Sequence, residues 1–366
     1  MSTSELYSLW LKNATDDPDI IEELKSIDGK DEEIYDRFYR ELEFGTAGLR
    51  GVIGAGTNRM NIYTVRRATQ GLAQYVLGEG GSKVAIAYDS RIKSTLFARE
   101  AARVLAANGI KVYIYKELMP TPMLSYAVRE LGCTSGIVVT ASHNPAKYNG
   151  YKAYGADGAQ LSVENSQKVL DLVNKVDMFS SVRLCDFDEA VREGTIEYIG
   201  DELIDKYLET VKSRSIEKVR GDLKVIYTPL NGTGNKPVRE ILKRIGIENV
   251  TVVPEQEFPD GSFPTAPFPN PEIRQAFECA LSLSKTVPAD LLLATDPDCD
   301  RVGIAVKDGD DFTLMSGNEV GACLLDYILS RRKANGTLPK DPVAVKTIVS
   351  TPLADKIAAK YGCKLI

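Results

Sequence analysis

A single histidine, His143, stands in a chain of 366 residues. A metal centre built on several imidazoles is therefore excluded, and any reaction that needs an imidazole base has one candidate. The cysteines Cys133, Cys185, Cys279, Cys299, Cys323 and Cys363 lie far apart, with no C-x-x-C pair and no histidine spacing to complete a zinc site. They read as free thiols. No apolar run approaches the roughly 18 residues that span a bilayer, and the acidic N-terminus MSTSELYSLWLKNATDDPDI lacks the basic and apolar regions of a signal peptide. The expectation is a cytoplasmic protein with no membrane partner, in which the N-x-S/T sequons at Asn13, Asn231, Asn249 and Asn335 are chance matches. Positive charge is also in deficit, 45 Lys plus Arg against 51 Asp plus Glu, for a formal charge of -6. That argues against a nucleic-acid partner, which needs a basic stripe. An anionic small substrate stays open, because exposed charges are screened beyond about 8 Å and local cations decide.

What is present is an ordinary globular composition, 43% hydrophobic, and at about 150 residues per domain the length suggests two or three domains. Helical patterning over Glu32 to Leu42, with Ile34, Phe38 and Leu42 on one face, leads into a glycine-rich segment from Phe44 to Gly56. A second amphipathic helix, Tyr63 to Leu77, is followed by strand Val84 to Ala87, helix Leu96 to Ala107, strand Val112 to Tyr115, helix Met123 to Leu131 and strand Gly136 to Thr140. Such alternation predicts an α/β fold with mixed, mostly parallel sheets and helices on both faces. A polar stretch from Asp157 to Gly200 leads to a second unit, with strands at Leu223 to Tyr227, Val250 to Val253, Leu291 to Ala294 and Val302 to Val306 around a Pro-rich loop, Phe258 to Glu272. A third begins with helix Glu319 to Arg331, strand Val343 to Lys346 and helix Leu353 to Tyr361. The expected units are 1–205, 206–315 and 316–366. Thr-Pro pairs at 121/122, 228/229 and 351/352 sit between strands and helices as natural helix openers, a weak internal echo that coincidence explains equally well.

Three segments carry chemistry. TASHNPAKYNGYK, Thr140 to Lys152, follows a β-branched strand, so Ser142 sits at a strand's C-terminal end, where open α/β sheets place ligands. His143 and Asn144 surround that hydroxyl with polar groups, although a loop that merely satisfies its own backbone would look the same. A Ser-His-Asp hydrolase is disfavoured, because no G-x-S-x-G elbow is present and adjacent side chains project differently. In ATDPDCDRVGIAV, Ala294 to Val306, the alternating Asp296, Asp298 and Asp300 can direct three hard oxygen ligands at one divalent cation. An EF-hand is excluded by Arg301 and Lys307 where Gly and Glu are required, and a short oxygen-rich site suits Mg²⁺, with a solvated acidic turn as the bland alternative. In FGTAGLRGVIGAGTNRMN, Phe44 to Asn61, glycines around Arg50 can bring a guanidinium and several N–H groups close to an anion. A dinucleotide fingerprint fails there, since Arg59 replaces the third Gly and no apolar strand leads in.

Together and in this order, TASHNP-x-x-x-NG-x-K, D-P-D-x-D-R and FGTAGLRG resemble the α-D-phosphohexomutase superfamily, the bacterial phosphoglucomutases and phosphomannomutases, over essentially the whole chain. The resemblance implies tandem phosphoglucomutase-type α/β domains. It implies that Ser142 is a phosphoserine and that one Mg²⁺ per chain is held by Asp296, Asp298 and Asp300 with an oxygen on Ser142. Arg50, His143 and Lys152 would act on the transferring group, His143 and Lys152 as candidate acid/base residues, while Asn144, Arg301 and Lys346 would bind substrate. The implied reaction interconverts hexose 1-phosphate and 6-phosphate, of glucose or mannose, through an enzyme-held sugar bisphosphate. Pentose phosphate, a Ser/metal phosphomonoesterase and a non-catalytic Mg²⁺ or phosphosugar-binding role are the alternatives, and oligomeric state stays open. One departure is plain: the family's G-E-x-S-G sugar-reading loop does not occur, and the sequence stops at Lys364-Leu365-Ile366 where a strand is starting. A C-terminally truncated chain with a partial third domain, little mutase activity and intact Mg²⁺ binding is the resulting expectation.

Overall fold

The centre of the first sheet is set by strand sequences apolar on both faces. A computed structural model describes residues 1–45, 48–219 and 221–366, so Thr46 and Ala47 of the glycine-rich segment, and Arg220, lie outside the described residues. The six strands of this sheet are β1 (Gly48–Val52), β2 (Lys83–Tyr88), β3 (Lys111–Tyr115), β4 (Ser135–Val139), β5 (Tyr148–Gly155) and β6 (Ile196–Ile199), in the order β1-β5-β4-β2-β3-β6. β4, β2, β3 and β6 run parallel, and β5 and β1 are antiparallel additions at one edge. In β2, Val84 and Ile86 join one buried cluster while Ala85 and Ala87 join another, the period-2 signature of a strand covered on both faces. The helices Ile62–Gly78 and Ser94–Ala107 contribute to the first cluster, and Thr121–Glu130 to the second. Three N-terminal helices, Thr3–Asn13, Pro18–Ser26 and Asp31–Phe38, are anchored by buried Trp10, whose ring meets Phe38, Tyr63 and Phe179 edge-on at 5.5 to 5.8 Å.

The second sheet has five strands, β7 (Val225–Thr228), β8 (Val250–Val252), β9 (Leu291–Thr295), β10 (Val302–Asp308) and β11 (Asp311–Met315), ordered β11-β10-β9-β7-β8. β9 and β10 pair antiparallel with Thr295 opposite Val302, so the acidic segment 296–301 is the loop of a hairpin. A third unit comprises helix Gly317–Ala334, opened by a Ser316–Glu319 capping box, helix Leu353–Lys360, and a two-stranded parallel pair, β12 (Val343–Ala344) and β13 (Lys364–Leu365). No helix among the described residues is long and apolar enough to cross a membrane.

Several sequence expectations need correction. The helix expected to reach Leu42 ends at Phe38, because the Leu42 N–H donates to the Thr57 carbonyl at 2.8 Å and its side chain packs on Gly51, where a Cβ would come within 2.8 Å. The strand expected over Val343 to Lys346 is only two residues long, matching its two-residue partner. Thr121-Pro122 does open a helix, but Thr228-Pro229 does not, since a turn with left-handed Leu230 and Asn231 intervenes before helix Asn235–Arg244. Strand β5, Tyr-Asn-Gly-Tyr-Lys-Ala-Tyr-Gly, has no counterpart among the expected strands, yet it is paired on both sides. Gly150 is required there, because a Cβ would sit 2.5 Å from the Thr140 carbonyl oxygen.

Candidate active site

Two loops from different sheets meet. Ser142 follows β4 and lies at the C-terminal end of the parallel strands, with its backbone in the left-handed region at φ 52°. Its N–H donates to Thr140 Oγ1 at 2.8 Å, and the Asn144 N–H donates to the Ala141 carbonyl at 3.1 Å, which closes a tight turn that presents the hydroxyl. That hydroxyl donates to Asp296 Oδ2 at 2.8 Å across the interface between the two sheets, and His143 Nδ1 lies 3.2 Å from the same hydroxyl oxygen.

The acidic hairpin loop is built around Asp296. Its Oδ1 accepts the backbone N–H groups of Asp300 and Arg301 at 3.1 and 2.9 Å, so the loop folds over its own first carboxylate. Asp298 reaches the first sheet's unit: its Oδ2 accepts from Thr121 Oγ1 and from Lys152 Nζ, both at 2.9 Å, and its backbone carbonyl accepts the Thr121 N–H at 2.9 Å. Lys152 also lies 3.4 Å from Asp300 Oδ2. Asp296 and Asp298 are wholly buried, yet among the described residues no donor serves Oδ1 of Asp298. A buried carboxylate oxygen left without a donor is costly. Single oxygens of Asp296, Asp298 and Asp300 lie within 4.8 Å of one another. Hard oxygen donors, crowding of like charge and one unsatisfied lone pair together fit a divalent cation.

The charges have physical consequences. Burial, then the neighbouring Asp298 and Asp300, push the Asp296 carboxyl well above the usual carboxylate range. Burial works upward on Asp298 as well, but Lys152 beside it outweighs that and carries it below the usual carboxylate range. On Lys152 burial works downward, and Asp298 and Asp300 overcome it, so the ammonium is held above its ordinary value and stays charged. Burial, with Arg301 and Arg50 nearby, pushes His143 down, so the imidazole is neutral at pH 7. Burial pushes the Cys299 thiol inside the acidic loop up to about 12, leaving it inert.

Of the residues singled out from the sequence, Ser142, His143, Lys152, Asp296, Asp298 and Asp300 converge. Exposed Arg50 stands on β1 and donates to Asn144 Oδ1 at 3.3 Å, at the rim of the same loop. Arg301 contributes its backbone N–H to Asp296, while its guanidinium turns to Glu272 at 3.5 Å. Lys346 pairs with Asp355 inside the third unit, and among the described residues it makes no hydrogen bond or ion pair with the acidic loop. Thr121, Thr140, Asp89 and Arg91 were not anticipated as site residues. Thr121 was legible only as a helix opener, and Asp89-Ser90-Arg91 could have been found from its place at the C-terminal end of an apolar strand.

Three outcomes follow from this geometry. The lone His143 gives an unambiguous imidazole NMR titration, expected to midpoint below the usual value of about 6.5 and to move upward in Arg301→Ala; a midpoint unaffected by that change contradicts the assigned cause. Because burial and the neighbouring carboxylates push the Asp296 carboxyl upward and a bound cation would reverse that, Mg²⁺ or Mn²⁺ binding should release protons, so calorimetric heats at pH 7 should vary with buffer ionisation enthalpy; buffer-independent heats contradict this. Thr121→Val removes one of two donors orienting Asp298 and should weaken Mn²⁺ affinity about 10-fold, the size of effect seen when a ligand loses its supporting hydrogen bond; an unchanged affinity counts against that role.

Family models for phosphoglucomutase/phosphomannomutase match this architecture, alpha/beta/alpha domain I over residues 41–179 and domain II over residues 204–309. A phosphoglucomutase of Staphylococcus saprophyticus is 36% identical over 362 residues, 98% of this chain and 64% of the relative. One from Staphylococcus haemolyticus is 37% identical over 326 residues, 88% of this chain and 59% of the relative. The chain thus spans about three fifths of the length of these relatives. Among solved structures, a Thermus thermophilus protein bearing a phosphomannomutase name superposes with a TM-score of 0.73 at 27% identity, covering 89% of this chain and 68% of the other. A phosphoglucomutase/phosphomannomutase family protein from Burkholderia thailandensis shares the fold with a TM-score of 0.70 at 23% identity, over 88% of this chain and 65% of that one. The two domain matches and the staphylococcal relatives place this chain in the phosphoglucomutase/phosphomannomutase family of the α-D-phosphohexomutase superfamily.

Proposed function

We propose that Ser142 carries a phosphoryl group and exchanges it with a hexose phosphate, interconverting the 1- and 6-phosphates through a sugar bisphosphate. The observation that carries this is the 2.8 Å approach of the Ser142 hydroxyl, from one sheet, to Asp296 in the acidic loop of another. Phosphoryl transfer depends on in-line positioning and on neutralising the transferring oxygens more than on a strong base. A magnesium ion held by Asp296, Asp298 and Asp300 would supply that neutralisation when bound. Lys152, fixed against Asp298 and Asp300 and held protonated, adds a permanent positive charge to the acidic loop and is unsuited to act as a base. Arg50 and Asn144 stand at the rim, where a second phosphate of the substrate would be met.

In the half-reaction that loads the enzyme, the Ser142 oxygen attacks a phosphate of the bisphosphate, the bond from phosphorus to the sugar oxygen breaks, and the sugar oxygen leaves and takes a proton from solvent water, to which His143 later returns the proton it accepts. The Ser142 proton passes to Nδ1 of His143, which lies 3.2 Å away and is neutral at pH 7 because burial and the nearby guanidinium groups push it down. The reverse half-reaction returns the group to the other hydroxyl. The staphylococcal relatives are named phosphoglucomutase, which supports a glucose phosphate as substrate. Free cysteines are consistent with a cytoplasmic location.

Incubation with glucose 1,6-bisphosphate and Mg²⁺, followed by phosphopeptide mass spectrometry, should show one phosphate on Ser142 that is absent in Ser142→Ala and is passed on to added glucose 1-phosphate or 6-phosphate. An unmodified Ser142 contradicts the proposal, and sustained release of inorganic phosphate without isomerised sugar makes the protein a phosphomonoesterase instead.

A further inference from the structure

One arginine outside the acidic and serine motifs grips the backbone of the serine loop. Arg91 follows the central strand β2 and is 3% exposed. Its Nη2 donates to the carbonyls of Ser142 and Asn144, both at 2.5 Å, and its Nη1 donates to the carbonyls of Pro145 and Tyr148 at 3.0 and 3.1 Å. Four peptide planes of the loop are thereby turned with their oxygens inward, onto one planar cation. A guanidinium can do this because its N–H groups diverge in a fixed fork, whereas an ammonium presents three donors from a single point.

The fork is itself held from two sides. Asp89, with no side-chain exposure, lies 3.3 Å from Arg91 Nε and accepts from the Arg91 N–H at 2.9 Å, Ser94 Oγ at 2.7 Å and Thr140 Oγ1 at 2.6 Å. Thr140 Oγ1 also accepts the Ser142 N–H, so a chain of hydrogen bonds runs from Asp89 through Thr140 to the backbone of the reactive serine. From the other side Phe263, wholly buried, sets its ring 5.0 Å from the guanidinium carbon. Phe263 belongs to the Pro-rich loop between β8 and β9, and that loop packs backbone to backbone on residues 90–92: a Cβ on Gly261 would come within 2.5 Å of the Ile92 nitrogen and 2.8 Å of the Ser90 oxygen. The segment 89–92 therefore touches both the serine loop and the unit that carries the acidic loop.

We infer that Arg91, oriented by Asp89 and capped by Phe263, is a positioning residue that holds the Ser142 backbone in its left-handed conformation and in register with the acidic loop. The inference rests on Ser142 as phosphoryl acceptor for its catalytic meaning, though not for its structural content. A non-glycine residue keeps positive φ only where its surroundings over-determine it, and four carbonyls on one cation with the N–H on Thr140 meet that condition. Arg91 bonds to the loop's carbonyls and not to the Ser142 hydroxyl. Its effect is on where the hydroxyl stands.

The test uses Arg91→Lys and Phe263→Leu in the full chain, with three readouts: Mn²⁺ affinity, deuterium exchange of the peptide spanning residues 141–150, and the rate of Ser142 phosphorylation by glucose 1,6-bisphosphate. Arg91→Lys should leave Mn²⁺ affinity within about twofold, speed exchange in that peptide, and slow phosphorylation about 100-fold, the scale of a misplacement near 1 Å. Phe263→Leu, which keeps the cation and fills the same space with an apolar group, should move exchange and phosphorylation in the same direction by less, and it decides the matter if the lysine variant fails to fold. Wild-type exchange and phosphorylation rates in the folded variants overturn the inference. If the wild type itself acquires no phosphate on Ser142, the proposed reaction fails, and the exchange data alone still support or overturn the positioning role.

Discussion

Burial of two neighbouring aspartates governs this molecule. Asp296 and Asp298 have no exposed surface, and three carboxylates converge where their oxygens come within 4.8 Å. Charges so placed repel one another and lose their hydration, and each costs several kcal/mol unless paired. Every neighbour offsets part of that cost. Two backbone N–H groups and the Ser142 hydroxyl serve Asp296, while Thr121 and Lys152 serve Asp298. The one buried carboxylate oxygen without a donor among the described residues, Asp298 Oδ1, is where the proposed cation would complete the set. Because three of those donors, on Thr121, Ser142 and Lys152, come from the first sheet's unit and the carboxylates from the second, the same electrostatics also hold the two units together.

The fold supplies those donors by an ordinary topological rule. Ser142 and Arg91 follow adjacent parallel strands, β4 and β2, at their C-terminal ends. Lys152 comes from β5, whose antiparallel return beside β4 carries the chain back under the serine loop. The acidic loop joins two antiparallel strands, so its ends are pinned by the Thr295–Val302 pairing while its carboxylates are free to turn inward. The surplus of negative charge over the whole chain has little bearing on this site. Lys152 and Arg91 each face a buried carboxylate, Asp298 and Asp89, and the positive charge of Arg301 and Arg50 adds to burial in pushing His143 down.

Much of this was legible in the sequence where the residue type is itself the signal. Alternating aspartates after an apolar run announce an oxygen-rich cation site, and β2, β3 and β4 announce themselves by β-branched and apolar residues. The parts that escaped are held by backbone. β5 carries Asn149, Gly150 and Lys152, and pairs through main-chain groups that have no compositional trace. Arg91 bonds to four carbonyls, which every residue possesses, so its position just after an apolar strand is the only sequence trace of that role. The helix expected to reach Leu42 failed for a related reason, since a contact with the distant Thr57 carbonyl outweighs local periodicity.

The central claim is that a hydroxyl from one sheet and carboxylates from another share one cation. Electron–nuclear double resonance on the Mn²⁺-loaded chain, with phosphoserine incorporated at position 142, tests it most directly. A phosphorus hyperfine coupling to the manganese, lost when Asp298→Asn abolishes metal binding, is the predicted result. Manganese bound with no coupling to phosphorus would place the phosphate and the cation in separate sites and contradict the account.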